Sequence, residues 1–165
     1  IIPCLFKTAD REKDFFFSDE IGLEEAIVVT KKGKEFPVKS FSDLKGKKVG
    51  YLNGGSLGND FEVAKAYLNL DVDNDAVLRL KKLEAGRVDA ILINPGKSAL
   101  IYQVKKAGLV IDNFSIVATL TKEPNYAAIS KKAPQAQKTI DRLNAELKKM
   151  RSNGAIEKIN KKYGF

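Results

Sequence analysis

Two short stretches carry groups suited to gripping an anion. In "TADREKDFFFS", Thr8 stands three residues before Arg11, and Phe15, Phe16 and Phe17 follow closely. The three phenylalanines predict a strand entering a core, which leaves Arg11 near the edge of that core. A guanidinium there is either a solvated surface group or a planar fork, charged at any relevant pH, that can take a carboxylate through two parallel hydrogen bonds. Thr8 reads as a cap or turn former for the segment. In "NGGS", Asn53–Ser56, glycines allow backbone N–H groups to face outward between a strand and a helix, where negative charge is favoured. The stretch is neither a P-loop nor a GxGxxG fingerprint, so it does not read as a nucleotide site. A plain glycine turn with Ser56 as an N-cap fits the same residues.

Composition removes many other chemistries. The chain has 165 residues and no histidine, which rules out a Ser-His-Asp triad, a Cys-His pair and an HExxH zinc site. Its single cysteine, Cys4, excludes a CxxC pair, a four-cysteine zinc site and an internal disulfide, and reads as small apolar filler. No metal or cofactor is expected. The net charge is +8, but the lysines are scattered in pairs without interleaved aromatics, the pattern of a solvated surface and not of a nucleic-acid groove. With 44% hydrophobic and 30% charged residues, the chain has a globular composition, and no apolar run approaches the roughly 20 residues of a membrane span. The opening Ile1-Ile2 reads as the start of a strand and "IIPCLF" lacks a basic leader, so the expectation is that upstream sequence is absent here.

The elements that must position these groups alternate. Ala26–Thr30 reads as a buried strand, followed by a turn around Asp43-Leu44, a stop at Gly46 and a strand over residues 48–52. Leu57, Phe61, Ala64 and Leu68 recur at helical spacing. A second helix is predicted from Asp75 to a left-handed stop at Gly86. The apolar run Val88–Ile93 predicts a strand buried on both faces. A helix from Lys97 to Gly108, strands at "FSIVATL" and "YAAIS", and a long helix with Pro134 in its first turn follow. That helix carries Ile140, Leu143, Leu147 and Met150 as a packing stripe, and an amphipathic end with Ile156, Ile159 and Tyr163 closes the chain. Alternating strands and helices predict an α/β fold with a helix-covered, parallel or mixed sheet.

The pieces "TADREKDFFFS", "SFSDLKGKKVGYLNGGSLG", "LEAGRVDAILIN" and "LNAELKKMRSNGAIEKINKKYGF", in this order and spacing, resemble the bacterial extracellular solute-binding proteins of family 3. The resemblance implies a type II periplasmic-binding-protein-like fold, with two lobes joined by hinge strands. On that template residues 1–28 are a partial first lobe with the arginine turn and a hinge strand. Residues 29–120 are the second lobe, and residues 121–165 return to the first. The opening part of the first lobe would then precede Ile1, and without it that lobe would expose a large apolar face.

The resemblance also implies roles. Arg11 occupies the position that holds the ligand's carboxylate, and Gly55 and Ser56, beside Asn53, complete the cradle from the second lobe. After "GRVDAILI" the family usually places an aspartate that pairs with the ligand's ammonium. Asn94 stands there, and it cannot balance a cation. Cys4 and Phe6 stand where relatives often carry hydroxyls that help hold the amino group. Either the solute is not a standard α-amino acid, or its amino group is held by residues upstream. Tyr51 either lines the cleft or packs in the core, and Asp89 reads as structural.

The implied function is non-enzymatic capture of a small carboxylate-bearing solute in the periplasm or outside the cell, for presentation to the membrane permease of an ABC transporter, with no nucleic acid as partner. Two alternatives share the fold: a ligand-sensing domain of a signalling receptor, which the terminus-like "KKYGF" disfavours, and a dehydratase-like cleft enzyme, for which no acid is evident.

Overall fold

The computed structural model describes residues 1–163. Six strands and six α-helices alternate: β1 (Ile2–Phe6), α1 (Arg11–Asp14), β2 (Phe15–Lys31), β3 (Lys48–Leu52), α2 (Asn59–Ala64), β4 (Asn69–Asp73), α3 (Ala76–Glu84), β5 (Ala90–Ile93), α4 (Gly96–Ala107), β6 (Phe114–Ser130), α5 (Ala136–Ser152) and α6 (Ala155–Tyr163). Hydrogen-bonded neighbours run β1-β6-β2-β5-β3-β4. The chain forms two compact units, one of Ile1–Leu23 with Glu123–Phe165 and one of Glu24–Lys122. Gly164 and Phe165, at the terminus-like end noted in the sequence, lie outside the described residues.

In the second unit β5 is central. It pairs antiparallel with β2, Ile27 opposite Ile93 and Thr30 opposite Ala90, and parallel with β3, Val49 beside Ala90. The period of two along each strand divides the apolar residues between two faces. Ile27, Val29, Ile91 and Ile93 meet Leu80 and Leu83 of α3 and Leu100 and Val104 of α4. On the opposite face Ala26, Val28, Ala90 and Leu92 meet Phe41, Leu44, Leu57 and Phe61. A sheet covered on both faces explains why β5 is a continuous apolar run. The turn at Phe41–Leu44 is a 3₁₀ helix opened by a capping box between Ser40 and Asp43. Gly86 and Gly108, both with φ near +70°, end α3 and α4 as the sequence predicted.

In the first unit β1 pairs antiparallel with β6, Leu5 opposite Tyr126 and Phe6 opposite Asn125. The buried Ser18 hydroxyl accepts the Ala127 N–H at 2.9 Å, and Asn144 of α5 accepts the Asp19 N–H at 2.7 Å. Ala136, Ile140 and Leu147 form the buried stripe of α5.

Several expectations are corrected. The strands read separately at Phe15–Phe17 and Ala26–Thr30 are one strand of 17 residues, and the two read in the region 114–130 are likewise one. Of the polar residues between the apolar runs, Ser18 and Asn125 are buried and the others are exposed or half-buried. β4 is not expected from the sequence, because "NLDVD" lacks an apolar run. The structure places it in parallel beside β3, where Asp71 pairs with Lys48 at 3.0 Å and with Lys82. The helix inferred over residues 57–68 is a six-residue α2 continued by a turn to Leu68. Pro134 precedes α5, whose N-cap is Gln135 in the left-handed region.

Candidate functional site

Arg11 lies in the first unit on the single turn α1, where its backbone N–H donates to the Thr8 hydroxyl at 3.3 Å. Thr8 thus forms the turn, as the sequence suggested. The half-buried Arg11 side chain donates through Nη1 to the carbonyl oxygen of Phe6 at 2.9 Å. That bond orients the fork and uses one of five donors. The surrounding cations are already matched: Lys7 with Glu12, and Lys13 with Asp10, each at 2.9 Å. The bond between Lys13 and Asp10 raises the lysine's pKa and lowers the aspartate's. Among the described residues Arg11 has no carboxylate partner. Phe6 is itself buried, and its backbone is the part that meets Arg11.

The other predicted residues lie in the second unit, at the carboxyl ends of β3 and β5. Tyr51 resolves toward core packing: it is 4% exposed, and its ring meets Phe61 with centroids 4.7 Å apart. Its hydroxyl nevertheless reaches the loop and donates to the Gly55 carbonyl. The loop is tied at both ends, Asn53 N–H to the Asp73 carbonyl at 2.8 Å and Gly55 N–H to that of Leu52 at 3.2 Å. A Cβ at Gly55 would approach the Tyr51 hydroxyl to 3.1 Å, so the glycine permits a close approach. One detail of the anion-cradle reading changes, and so does one of the plain-turn alternative. The Gly55 N–H is spent inside the turn, and the N-cap of α2 is Gly58, not Ser56. The Ser56 hydroxyl donates instead to Glu62 at 2.9 Å. Lys65 holds that carboxylate at 2.9 Å; burial lowers the lysine's pKa, but the bond to Glu62 and the nearby Tyr51 outweigh it and leave it raised.

A cavity of about 370 Å³ opens here, within the range of small-molecule sites. Tyr51, Gly55, Ser56 and Asn94 border it, so the structure brings together four of the predicted residues. Asn94 is half-buried, and its Nδ2 is fully enclosed without an acceptor. Asp89 does not border it: its carboxylate accepts the Lys48 N–H at 2.7 Å and is structural, as read.

Sequence reasoning missed three charged neighbours of this cavity, Asp75, Arg79 and Lys106. Asp75 caps α3 by accepting the Val77 N–H at 2.8 Å. Arg79 has a side chain only 6% exposed, with Nε 3.4 Å from Asp73 Oδ1. Burial lowers its pKa and the Asp73 carboxylate opposes that fall. Gly50 makes room for it, since a Cβ there would lie 3.0 Å from Arg79 Cγ.

The architecture is that of the type II periplasmic binding proteins: a solved ancestral arginine-binding protein bound to arginine superposes with TM-score 0.76 at 30% identity, over 96% of this chain and 68% of that one. The chain belongs to the bacterial extracellular solute-binding proteins, family 3, whose sequence pattern matches residues 1–165. It is 29% identical over 157 residues to the L-cystine-binding protein TcyA of Bacillus subtilis (strain 168), covering 93% of this chain and 54% of that protein. It is 31% identical over 164 residues to a probable histidine-binding protein of Neisseria gonorrhoeae, covering 94% and 57%. The chain therefore spans little more than half the length of these curated relatives. The family and these relatives are binding proteins, not enzymes.

Proposed function

We propose that this chain is part of a non-enzymatic solute-binding protein of an ABC-type uptake system, which captures an amino acid or related carboxylate between two lobes and presents it to a membrane permease. Arg11 holds the carboxylate, with the Phe6 backbone orienting its fork. The loop Asn53–Ser56, braced by Tyr51, and Asn94 supply the second lobe's contacts. Residues 29–120 act as that lobe, and the flanking segments 1–28 and 121–165 as parts of the first. Binding shifts an open–closed equilibrium because the closed state alone makes both sets of contacts. The working compartment is the periplasm or the cell exterior, which is where the family acts.

The observation that carries this reading is Arg11: a guanidinium oriented at 2.9 Å by a carbonyl, amid cations that already have carboxylates. That similar proteins include an L-cystine-binding protein, a probable histidine-binding protein and an arginine-binding protein supports a solute of the amino-acid class. Calorimetric titration of the full-length protein and its Arg11→Ala variant with these three amino acids tests it. Losing two charge-assisted hydrogen bonds lowers affinity about 100-fold or more. Unchanged affinity removes Arg11 from the site.

A further inference from the structure

Arg79 stands in a setting that narrows the solute, on the premise of the binding-protein reading above. Its side chain is 94% buried, yet among the described residues it forms only the ion pair to Asp73, whose Oδ1 at 3.4 Å makes no hydrogen bond. Asp73 is also shared, its other oxygen lying 3.4 Å from Lys82. A guanidinium has five N–H donors, and this ion pair leaves most of them open to a ligand. Arg79 borders the cavity of the second unit. So does Asn94, whose enclosed Nδ2 is another donor without an acceptor. Lys106 adds an exposed ammonium at the rim. The bordering carboxylate, Asp75, already caps α3 through Oδ1. The cavity therefore presents unfilled donors, which an acid group satisfies and an ammonium group does not.

We propose that this cavity binds a second acidic group of the solute through Arg79, with Asn94 and Lys106 assisting. On that reading the solute bears a second carboxylate, held in the second unit by Arg79. A planar fork beside a carboxamide donor matches the two oxygens of a carboxylate.

The test titrates the full-length protein with two pairs differing by one acid group, L-glutamate against L-glutamine and L-cystine against its mono-carboxamide, with L-arginine as a further probe. The diacid of at least one pair binds about tenfold or more tighter than its partner, the worth of a charged hydrogen bond. Arg79→Gln removes that preference while leaving the monoacid within about twofold, and Arg79→Lys restores part of it. Circular dichroism monitors folding. Should Arg79→Gln fail to fold, Lys106→Gln at its exposed position carries the test, with a loss of roughly threefold for the diacid alone, diminished by salt. No preference within either pair overturns the inference, as does an equal loss for both members of a pair, or no loss in Lys106→Gln when that variant carries the test. Binding of L-arginine without either diacid also overturns it and leaves the binding-protein reading standing. No binding of any of the five overturns that reading itself.

Discussion

Arg11 and Arg79 are the same side chain in opposite settings, one in each unit. Arg11 rides on a four-residue turn among exposed, self-paired charges, and only the Phe6 carbonyl orients it. Arg79 is enclosed beside Asp73, under Gly50 and against a sheet whose two faces carry the extended apolar clusters. In the first unit Arg11 rests on a single turn outside the extended apolar clusters. In the second, the cavity wall and the core share residues: Tyr51 packs on Phe61 and braces Gly55, and Gly50 packs on both Ile91 and Arg79. Substitutions should therefore leave stability nearly unchanged at Arg11, whereas around Arg79 a change in binding comes with a loss of stability.

The largest effect expected of that contrast is at Gly50. A methyl group there would lie 2.9 Å from Ile91 Cγ2 and 3.0 Å from Arg79 Cγ, so Gly50→Ala should cost about 1–3 kcal/mol by overpacking. Arg11→Ala should cost less, about 0.5 kcal/mol, the lower end of what one half-buried hydrogen bond contributes. Denaturant unfolding of both checks the pair, and equal losses would break the comparison. Next is Tyr51→Phe, which deletes the hydroxyl that donates to the Gly55 carbonyl. Leaving that bond unmade should cost about 1 kcal/mol, read in the same assay.

The smallest effect is at the edge of the sheet and depends on pH. The hydrogen bonds from Lys82 and then Lys48 hold the Asp71 carboxyl below its ordinary value. A carboxyl depressed in the folded state binds protons more readily unfolded, so its stabilisation is present above the unfolded pKa of about 4 and is lost as pH falls through the folded value. Asp71→Asn should cost about 1 kcal/mol or less near neutrality and nothing once acid has protonated the parent. Melting curves across pH 2 to 7 test the sign, since a difference that grows on acidification would contradict it.

The contrast also explains what the sequence made legible. Arg11 was readable because its turn is local: Thr8, the charged residues and the phenylalanines that follow are consecutive. The strand β5 was readable because burial on both faces leaves an uninterrupted apolar run. Arg79 was hidden because it stands on α3 between Leu78 and Leu80 and close to Lys81 and Lys82, like any cation on a helix. Its burial is set by Gly50 and Asp73, which lie on other strands. β4 was hidden for the same reason, since its aspartates make sense only beside lysines brought by β3 and α3. The loop Asn53–Ser56 was placed correctly at the end of β3. Which of its N–H groups remain free depends on a turn geometry that composition does not fix.

The most direct test of the central claim is a calorimetric comparison of L-histidine, L-arginine and L-cystine with their carboxamides on the full-length protein. If Arg11 grips a carboxylate, every amino acid that binds should lose about 100-fold in affinity when that group becomes an amide. A carboxamide that binds as tightly as its parent acid would contradict the account.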